Sequence, residues 1–245
     1  MKNLNKFLIL TLIALVFSCK DDEAPAVIPT TLFTQDRDFI ESNEDITFSN
    51  NSTDAVSYSW NFGDNSALST DENPVHTYTS TGDFTVTLTA TSETGDQSTS
   101  TRSVTVGERW VVALGINAIP FTDQNGDPWD EDNSGPDLLF GFAKADAETF
   151  LPYNITDGLD IQPSDIPTGG TLPPANQEVL TDEDWAFIFI DNDEPLDDLN
   201  QSTIMASFLV NPVTVTSEKD YSDGTGTFVF ESLGFSFIIA FEIRN

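Results

Sequence analysis

The sequence predicts an all-β fold made of two consecutive antiparallel β-sandwiches, preceded by a short N-terminal leader. Two observations carry this prediction. Short segments of the 245-residue chain alternate apolar and polar side chains with a period of two, as half-buried strands do. Clusters of Gly, Asn, Asp and Pro separate these segments, and no segment beyond the leader has a convincing helical periodicity. We therefore expect short strands joined by turns in both halves of the chain.

The charge balance excludes several classes of protein. The chain has 41 acidic and 9 basic side chains and a formal net charge of −32, so its surface repels the phosphates of nucleic acid. Its single cysteine, Cys19, cannot form a disulfide within the chain or a cysteine-ligated zinc cluster. Catalysis of the Ser-His-Asp or Cys-His type would have to centre on His76, the single histidine. We therefore expect no nucleic-acid partner.

The N-terminus has the features of an export signal. Two lysines precede the apolar run of residues 7–16, which is too short to span a bilayer. Ser18 stands directly before Cys19, and this junction resembles the lipobox of bacterial lipoproteins. The resemblance implies that residues 1–18 are a lipoprotein signal peptide and that Cys19 becomes the lipidated first residue of the mature chain. A free cysteine beside an ordinary signal peptide is the alternative.

A tether follows over residues 19–30. After Cys19 it begins with the charged run Lys20–Glu23, which resembles the export tag of Bacteroidetes lipoproteins displayed on the outer face of the outer membrane. The resemblance implies an outer-membrane protein that is exposed at the cell surface and attached to the membrane through the lipid on Cys19. A solvated spacer without an export role is the alternative.

Residues 31–107 are predicted to form the first sandwich. The segment Phe84–Thr91 alternates apolar residues with threonines, which places one row of side chains in a core and the other outside it. Shorter alternating segments precede and follow it, with turn residues such as Gly63–Asn65 between them. Several short strands at this spacing favour a sandwich.

Three motifs in this first sandwich have a recognisable spacing. They are Tyr58–Asn65, Asn73–Tyr78 and Gly82–Leu88, and together they resemble the PKD domain, an immunoglobulin-like sandwich. The family pattern has Asp where this chain has Asn61 and Gly where it has Asn65; asparagine also tolerates a left-handed turn conformation. The resemblance implies a spacer, or a module that contacts proteins or glycans, in which the aromatic residues and the single histidine are structural.

Residues 108–245 are predicted to form the second sandwich. Trp110–Ile119 alternates, and further strand-like segments follow as far as the C-terminus. The unbroken apolar run Ala186–Ile190 predicts a strand that is buried on both faces. Residues 157–178 are rich in Pro and Gly and predict a long irregular connection.

The acidic residues of the second sandwich fall into two clusters. Six acids lie from Asp123 to Asp137, and eight lie from Asp182 to Asp198. Carboxylates at this density repel one another unless a cation lies among them, and hard oxygen ligands suit calcium. We therefore expect calcium as a cofactor. Solvated loops that increase solubility are the alternative.

The two clusters also resemble a known type of calcium site. Asp130–Phe140 followed by Phe187–Leu199 resembles the calcium-binding loops of the C-two domain, a β-sandwich first named in protein kinase C. The first loop is longer than in that family, and no basic strand is visible, so docking on anionic phospholipid is not expected. The resemblance implies these metal ligands, with Asp130 or Asp123 supplying the first: Asp123, Asp130, Asp137, Asp191, Asp193 and Asp198.

A different calcium motif is a further alternative for the first cluster. Asp123–Asp127 resembles the beginning of an EF-hand loop. Pro128 stands where that loop needs Gly, and Ser134 replaces the bidentate Glu. These departures favour the C-two-like interpretation.

The sequence therefore predicts a non-catalytic, lipid-anchored surface protein that binds an unidentified protein or glycan with the help of calcium. The alternative is metal-independent glycan binding through an aromatic residue such as Trp129, which lies inside the first acidic loop. A carboxylate hydrolase is the third class, with Asp184 and Asp191, or Asp137 and Asp193, as the catalytic pair. Nothing in the sequence separates the environments of these carboxyls as a general acid and its partner require, so no enzyme is expected.

Overall fold

The computed structural model describes residues 26–129, 135–147, 151–154, 162–166, 178–191, 203–215 and 217–245. Over these residues the protein consists of strands, connecting loops and one 3₁₀ turn, with no α-helix, so the predicted all-β fold is confirmed. No helix in this part of the chain has the length and apolar character needed to cross a membrane.

The first sandwich is built from these strands: β1 (Phe33–Gln35), β2 (Phe39–Glu41), β3 (Asp45–Asn50), β4 (Ser57–Asn61), β5 (Val75–Thr77), β6 (Gly82–Thr91) and the first half of β7 (Gln97–Ala118). One sheet has the order β1-β3-β5, and the facing sheet contains β4, β6 and β7. β2 joins the second sheet as a parallel neighbour of β7, whereas the other strand pairs in this sandwich are antiparallel.

Aromatic side chains fill the space between these two sheets. The ring centroid of Trp60 in β4 lies 5.0 Å from that of Phe33 and 5.7 Å from that of Phe48, and all three residues are fully buried. Val86 and Leu88 of β6 point into the same core. The alternation of that segment predicts this burial, because successive side chains of a strand point to opposite faces.

The second sandwich uses the second half of β7 and these strands: β8 (Leu138–Lys144), β9 (Leu151–Asn154), β10 (Val179–Leu180), β11 (Trp185–Asp191), β12 (Thr203–Val210), β13 (Ser217–Asp220), β14 (Thr225–Ser232) and β15 (Phe235–Arg244). One sheet has the order β10-β7-β15-β14-β13, and the other has the order β12-β11-β8-β9. Neighbouring strands in both sheets are antiparallel. The 3₁₀ turn is Pro163–Asp165.

Phenylalanine side chains dominate the core between these sheets. The ring centroid of Phe237 in β15 lies 4.9 Å from that of Phe187 and 5.5 Å from that of Phe140, both in the opposite sheet. Phe189 and Phe235 approach each other across the core in the same way, at 4.8 Å. Contacts of this kind add to the stabilisation that burial of apolar area provides.

The strand predicted to be buried on both faces is β11. Its inward side chains Phe187 and Phe189 are fully buried. On the other face Ile190 is 8% exposed, while Ala186 and Ile188 are half-buried. Burial is therefore complete on the inner face and partial on the outer face.

β7 runs through the boundary that the sequence predicts between residues 107 and 108. Up to Gly107 it pairs with strands of the first sandwich, and from Glu108 onward it pairs with β15 of the second. Gly107 has no room for a side chain, because a Cβ would overlap the carbonyl group of Arg244. The two sandwiches are therefore joined by an uninterrupted strand rather than by a linker.

Candidate functional site at the acidic end of the second sandwich

The register of two neighbouring strands brings two of the predicted ligands together. β8 begins at Leu138 and β11 ends at Asp191, and these two residues are direct partners across the antiparallel pair. Asp137, which immediately precedes β8, therefore lies beside Asp191 at the same end of the sheet. The backbone N–H of Asp137 donates a hydrogen bond of 3.0 Å to Oδ1 of Asp191.

These two acids differ in their exposure to solvent. Asp191 is 1% exposed, whereas Asp137 is half-buried. Leu138 and Ile190, the neighbours of the pair along the two strands, are buried as well. Burial of a carboxylate is costly unless hydrogen bonds or a cation compensate for the lost hydration, and the Asp137 N–H supplies one such hydrogen bond to Asp191.

Asp123 is placed differently from this pair. Its Oδ1 accepts hydrogen bonds from the backbone N–H groups of Asn125 (2.8 Å) and Asp127 (2.9 Å), and its Oδ2 accepts one from the Asn125 side chain. The hydrogen bond from the Asp127 backbone is the largest cause of a lowered pKa for Asp123. The Asp123 carboxylate therefore closes its own turn, in which Gly126 has a φ of 88° that glycine adopts without strain.

The described residues hold two of the predicted calcium ligands side by side and no complete metal centre. Among these residues no group of three or more His, Cys, Asp or Glu side chains is close enough to hold a metal ion. Asp123 therefore does not complete a set with Asp137 and Asp191. Three further predicted ligands and the predicted lipidation site lie outside the described residues: Asp130, Asp193, Asp198 and Cys19.

Trp129, the predicted ligand-contacting aromatic residue, is half-buried. Its indole N–H donates a hydrogen bond of 3.0 Å to the carbonyl of Pro120. The indole therefore holds its own loop against the end of β7 and keeps only part of its surface available for a ligand.

One of the two carboxylate pairs considered for hydrolysis is separated by the fold. Asp184 precedes β11 and Asp191 ends it, so the length of that strand lies between them. At about 3.3 Å per residue the two residues are roughly 20 Å apart. Glycosidases need their two carboxyls within about 10 Å of each other, so this pair does not have the required geometry. Asp193, a member of the other pair, lies outside the described residues.

The structure also contains a charged cluster that the sequence does not predict. Arg109 and Asp191 are the charged side chains that are buried among the described residues. Arg109 forms an ion pair with Glu41, which lies 68 residues earlier in the chain, and Lys219 pairs with both Glu41 and Glu44. We call Glu41, Glu44, Arg109 and Lys219 the junction cluster. No local pattern could reveal it, because its members lie in three distant segments.

His76 belongs to a packed group in the first sandwich. Its Nε2 lies 2.8 Å from Oδ2 of Asp64, and its ring stacks on Phe62 with 3.9 Å between ring centroids. The ring of Tyr78 meets it edge-on at 4.6 Å, and the Tyr78 hydroxyl donates a hydrogen bond to the carbonyl of Phe62. These contacts hold the loop after β4 against β5 and give the histidine a structural role.

The Asp64–His76 pair should make part of the stability depend on pH. Burial alone would raise the pKa of Asp64, but hydrogen bonds from Ser66 and His76 outweigh burial and lower that pKa. A carboxylate of this kind contributes stability above its unfolded-state pKa of about 4, and the contribution is lost as the pH falls through the folded-state pKa. We expect Asp64→Asn to destabilise the protein by about 1 kcal/mol at neutral pH.

Thermal unfolding followed by circular dichroism should show the difference between Asp64→Asn and wild type shrinking below about pH 4. Glu72→Gln, a change at an exposed carboxylate in the same sandwich, serves as the control. A difference that stays constant from neutral to acid pH would contradict the assignment of this effect to Asp64.

The fold of the first sandwich defines it as an immunoglobulin-like domain, with two facing sheets around a core of aromatic and β-branched residues. The family model of the PKD domain matches residues 26–106. This part of the chain therefore belongs to the PKD family, as the three sequence motifs predict. The match begins five residues before the predicted start at residue 31 and ends one residue before the predicted end at residue 107.

Solved structures similar to this chain include two PKD domains. The PKD1 domain of Vibrio anguillarum Epp is 32% identical and covers 33% of this chain and 94% of its own, with a TM-score of 0.29. The PKD1 domain of the Vibrio cholerae metalloprotease PrtV is also 32% identical and covers 33% of this chain and 98% of its own, with a TM-score of 0.29.

A third similar structure extends over both sandwiches. It comes from work on the promiscuous specificity of carbohydrate-binding modules of the β-sandwich superfamily and is 12% identical, covering 89% of this chain and 93% of its own, with a TM-score of 0.31. A search of curated proteins found none that matches the chain.

Proposed function

We propose that this protein is a non-catalytic binding protein of the cell surface, in which a PKD domain carries a second sandwich that contacts its partner through calcium. The observation that carries the proposal is the hydrogen-bonded pair of Asp137 and Asp191 at one end of that sandwich. Both acids are ligands that the resemblance to the C-two domain implies, and they lie 54 residues apart in the sequence.

The chemistry of the donor set supports calcium over other metals. The described part of the chain offers carboxylate oxygens at this end and holds its one imidazole in the first sandwich. Oxygen ligands suit calcium, whereas imidazole and thiolate ligands would favour zinc or copper. Asp130, Asp193 and Asp198 are the residues that would complete the coordination. A bound calcium ion would cancel the repulsion between the acidic loops and offer a coordination position to a carboxylate or hydroxyl group of the partner.

The placement of the basic residues favours a protein or glycan partner over a phospholipid surface. In the described part of the second sandwich, every basic side chain forms an ion pair with a carboxylate of this chain. Each of these cations therefore already faces a carboxylate, and the net charge of −32 repels lipid phosphates. The pairs are Arg109–Glu41, Lys144–Glu183, Lys219–Glu41, Lys219–Glu44 and Arg244–Glu242.

The location that we propose is the outer membrane, where the lipid on Cys19 would anchor the chain and leave both sandwiches at the cell surface. The resemblance of residues 1–23 to lipoprotein export signals supports this proposal. Replacing Cys19 with serine should release the protein from the membrane fraction, and labelling of intact cells would show whether the wild-type chain is exposed.

Calcium should raise the melting temperature of the full chain, and Asp191→Asn should remove most of that increase. A ligand that binds the folded state alone stabilises it by about 2.7 kcal/mol at a concentration one hundred times its Kd. Asparagine retains an oxygen that can accept the Asp137 N–H, so the change removes charge with little change of shape. Scanning calorimetry with calcium and with a chelator measures the increase.

The matched control for this experiment is Asp146→Asn. Asp146 is exposed and lies just beyond the other end of β8, so it changes the net charge by the same amount away from the proposed site. An equal increase in melting temperature with calcium in both variants would mean that calcium acts by general screening of a very acidic protein and not at the proposed site. It would favour metal-independent binding, for which Trp129→Phe and partner binding without calcium are the next test.

A further inference from the structure

We propose that β7 and the junction cluster hold the two sandwiches together as one rigid body that unfolds as a single cooperative unit. This body would keep the end of the second sandwich that bears Asp137 and Asp191, here called the acidic end, far from the tether of residues 19–30. The proposal does not depend on what the acidic end binds. It rests on three sets of contacts between the sandwiches: the pairing along β7, the ion pairs of the junction cluster, and the contact of β2 with the turn after β13.

The pairing of β7 has no gap at the boundary between the sandwiches. Gly107 pairs with Glu41 of β2, and the next residue, Glu108, pairs with Arg244 of β15. Domains connected by flexible linkers usually move relative to each other. Here the connection is held by backbone hydrogen bonds on both sides of the boundary, so bending it would require breaking part of the sheet.

The junction cluster crosses the same boundary with buried charges. The Arg109 guanidinium donates to both carboxylate oxygens of Glu41, to the carbonyl of Pro212 and to that of Val213, and it lies 4.7 Å from the ring centroid of Phe241. The Arg109 side chain is 1% exposed and that of Glu41 is 13% exposed. Separating the sandwiches would break both hydrogen bonds between Arg109 and Glu41 and remove the Glu41 carboxylate from its two cationic partners.

Lys219 extends the cluster from the second sandwich. Its ammonium group donates to Glu41 and to Glu44, the latter at 2.6 Å. Glu44 in turn accepts a hydrogen bond from the backbone N–H of Glu41. Two cations of the second sandwich therefore neutralise two carboxylates of the first.

The turn after β13 forms the third set of contacts. The backbone N–H groups of Asp38 and Phe39 donate to the carbonyl of Tyr221 at 2.9 Å and 3.0 Å, and the guanidinium of Arg37 lies 4.4 Å from the Tyr221 ring centroid. A Cβ on Gly224 would lie 2.7 Å from the ring of Phe39. The β2 segment is thus held by backbone, ring and charge contacts at once.

This arrangement puts the tether and the acidic end at opposite ends of β7. Near its start, the Ser98 hydroxyl donates to the carbonyl of Pro29, close to the end of the tether. Near its end, Ala118 pairs with Ser236 of β15. The neighbouring residue Phe235 contacts Phe189, which lies two positions before Asp191 in β11. The twenty steps from Ser98 to Ala118 span at most about 65 Å at the rise of an extended strand. The rigid connection between the sandwiches would hold the acidic end at about that distance from the tether.

The test measures hydrogen exchange in both sandwiches of the full chain after weakening only one of them. Leu88→Ala creates a cavity in the first core, and Leu88 has no place in the second core. If the protein unfolds as one unit, the slowest amides of β11 and β6 should exchange faster by the same factor, at least tenfold. Acceleration confined to the first sandwich would overturn the proposal.

A second measurement tests rigidity without weakening either core. Spin labels at Glu93→Cys and Gln124→Cys, two exposed positions near opposite ends of β7, are introduced with Cys19→Ser in the full chain. We expect one narrow distance distribution by pulsed electron resonance. A broad or bimodal distribution would overturn the proposal.

The junction cluster itself is tested by Lys219→Met in the Leu88→Ala protein. We expect amide exchange to accelerate less in β11 than in β6, because part of the coupling between the two sandwiches is removed. Lys144→Met, which removes an ion pair within the second sandwich, should leave the two factors equal. If amide exchange in β6 and β11 accelerates by equal factors in the Lys219→Met protein as well, the junction cluster does not couple the two sandwiches.

Discussion

Arg109→Met is expected to destabilise the protein by about 3–5 kcal/mol, the cost of removing one partner from a buried ion pair. Methionine fills part of the space but cannot donate a hydrogen bond. Glu41 would retain Lys219 as its cationic partner, while the carbonyl groups of Pro212 and Val213 would lose the donor that reaches them. Urea unfolding at neutral pH measures the loss.

The size of this loss should depend on pH, because it involves the Glu41 carboxylate. Burial alone would raise the pKa of Glu41, but hydrogen bonds and charge from Arg109 and Lys219 outweigh burial and lower the pKa. The contribution of the ionised Glu41 is present above its unfolded-state pKa of about 4.3 and is lost as the pH falls through the folded-state pKa. The gap between wild type and Arg109→Met should therefore narrow in acid.

Lys144→Met is the matched control for Arg109→Met. The Lys144–Glu183 pair is exposed, with about two fifths of each side chain accessible to solvent, so its loss should cost no more than about 1 kcal/mol. An effect of Arg109→Met as small as that of Lys144→Met would mean that the junction cluster contributes little to stability.

Phe237→Ala should have a similarly large effect, about 3–5 kcal/mol, through loss of packing alone. Phe237 is fully buried, and its ring centroid lies within 6.0 Å of those of Phe140, Phe187, Phe189 and Phe230. Removing its ring would leave a cavity where the two sheets of the second sandwich meet. Unlike the effect of Arg109→Met, this loss should be independent of pH.

The control for Phe237→Ala is Leu233→Ala in the turn that precedes the same strand. Leu233 is 83% exposed, so the change should cost less than about 0.5 kcal/mol. Chemical unfolding of both variants compares the two positions directly. Equal and small losses would show that the second core tolerates a cavity at its centre.

Features that depend on local periodicity or a spaced motif could be predicted from the sequence. The alternation of Phe84–Thr91 predicts the inward rows of β6, and the motifs around Trp60, His76 and Leu88 predict the PKD domain. Asp137 and Asp191 could be placed together because the resemblance to the C-two domain implies that both belong to one set of ligands. These signals are strong because one residue type repeats, or because a turn needs a particular residue.

Features that depend on contacts between distant segments could not be predicted. β7 pairs without a break on both sides of residues 107 and 108, and this continuity across the predicted boundary depends on its partners β2 and β15. Arg109 is one basic residue in an apolar segment, and nothing nearby indicates that Glu41 is its partner. Its burial follows from the packing of β2 against the second sandwich, which is a property of the folded chain.

Local hydrogen bonding explains two more differences from expectation. Asp123 is one of six acids in its loop, yet its carboxylate caps the backbone of its own turn. Trp129 stands among acids that predict exposure, yet its indole donates to the carbonyl of Pro120 and the residue is half-buried. The composition of a loop predicts how polar the loop is. It does not show which groups within the loop form hydrogen bonds with each other.

The measurement that tests the calcium proposal most directly is a calorimetric titration of calcium into the full chain, alongside Asp191→Asn/Asp193→Asn. The account predicts saturable binding, with a Kd of about 10⁻⁴–10⁻³ M or tighter as in extracellular modules, and its loss in the double variant. Absence of saturable binding at millimolar calcium, or equal binding by the double variant, would contradict it.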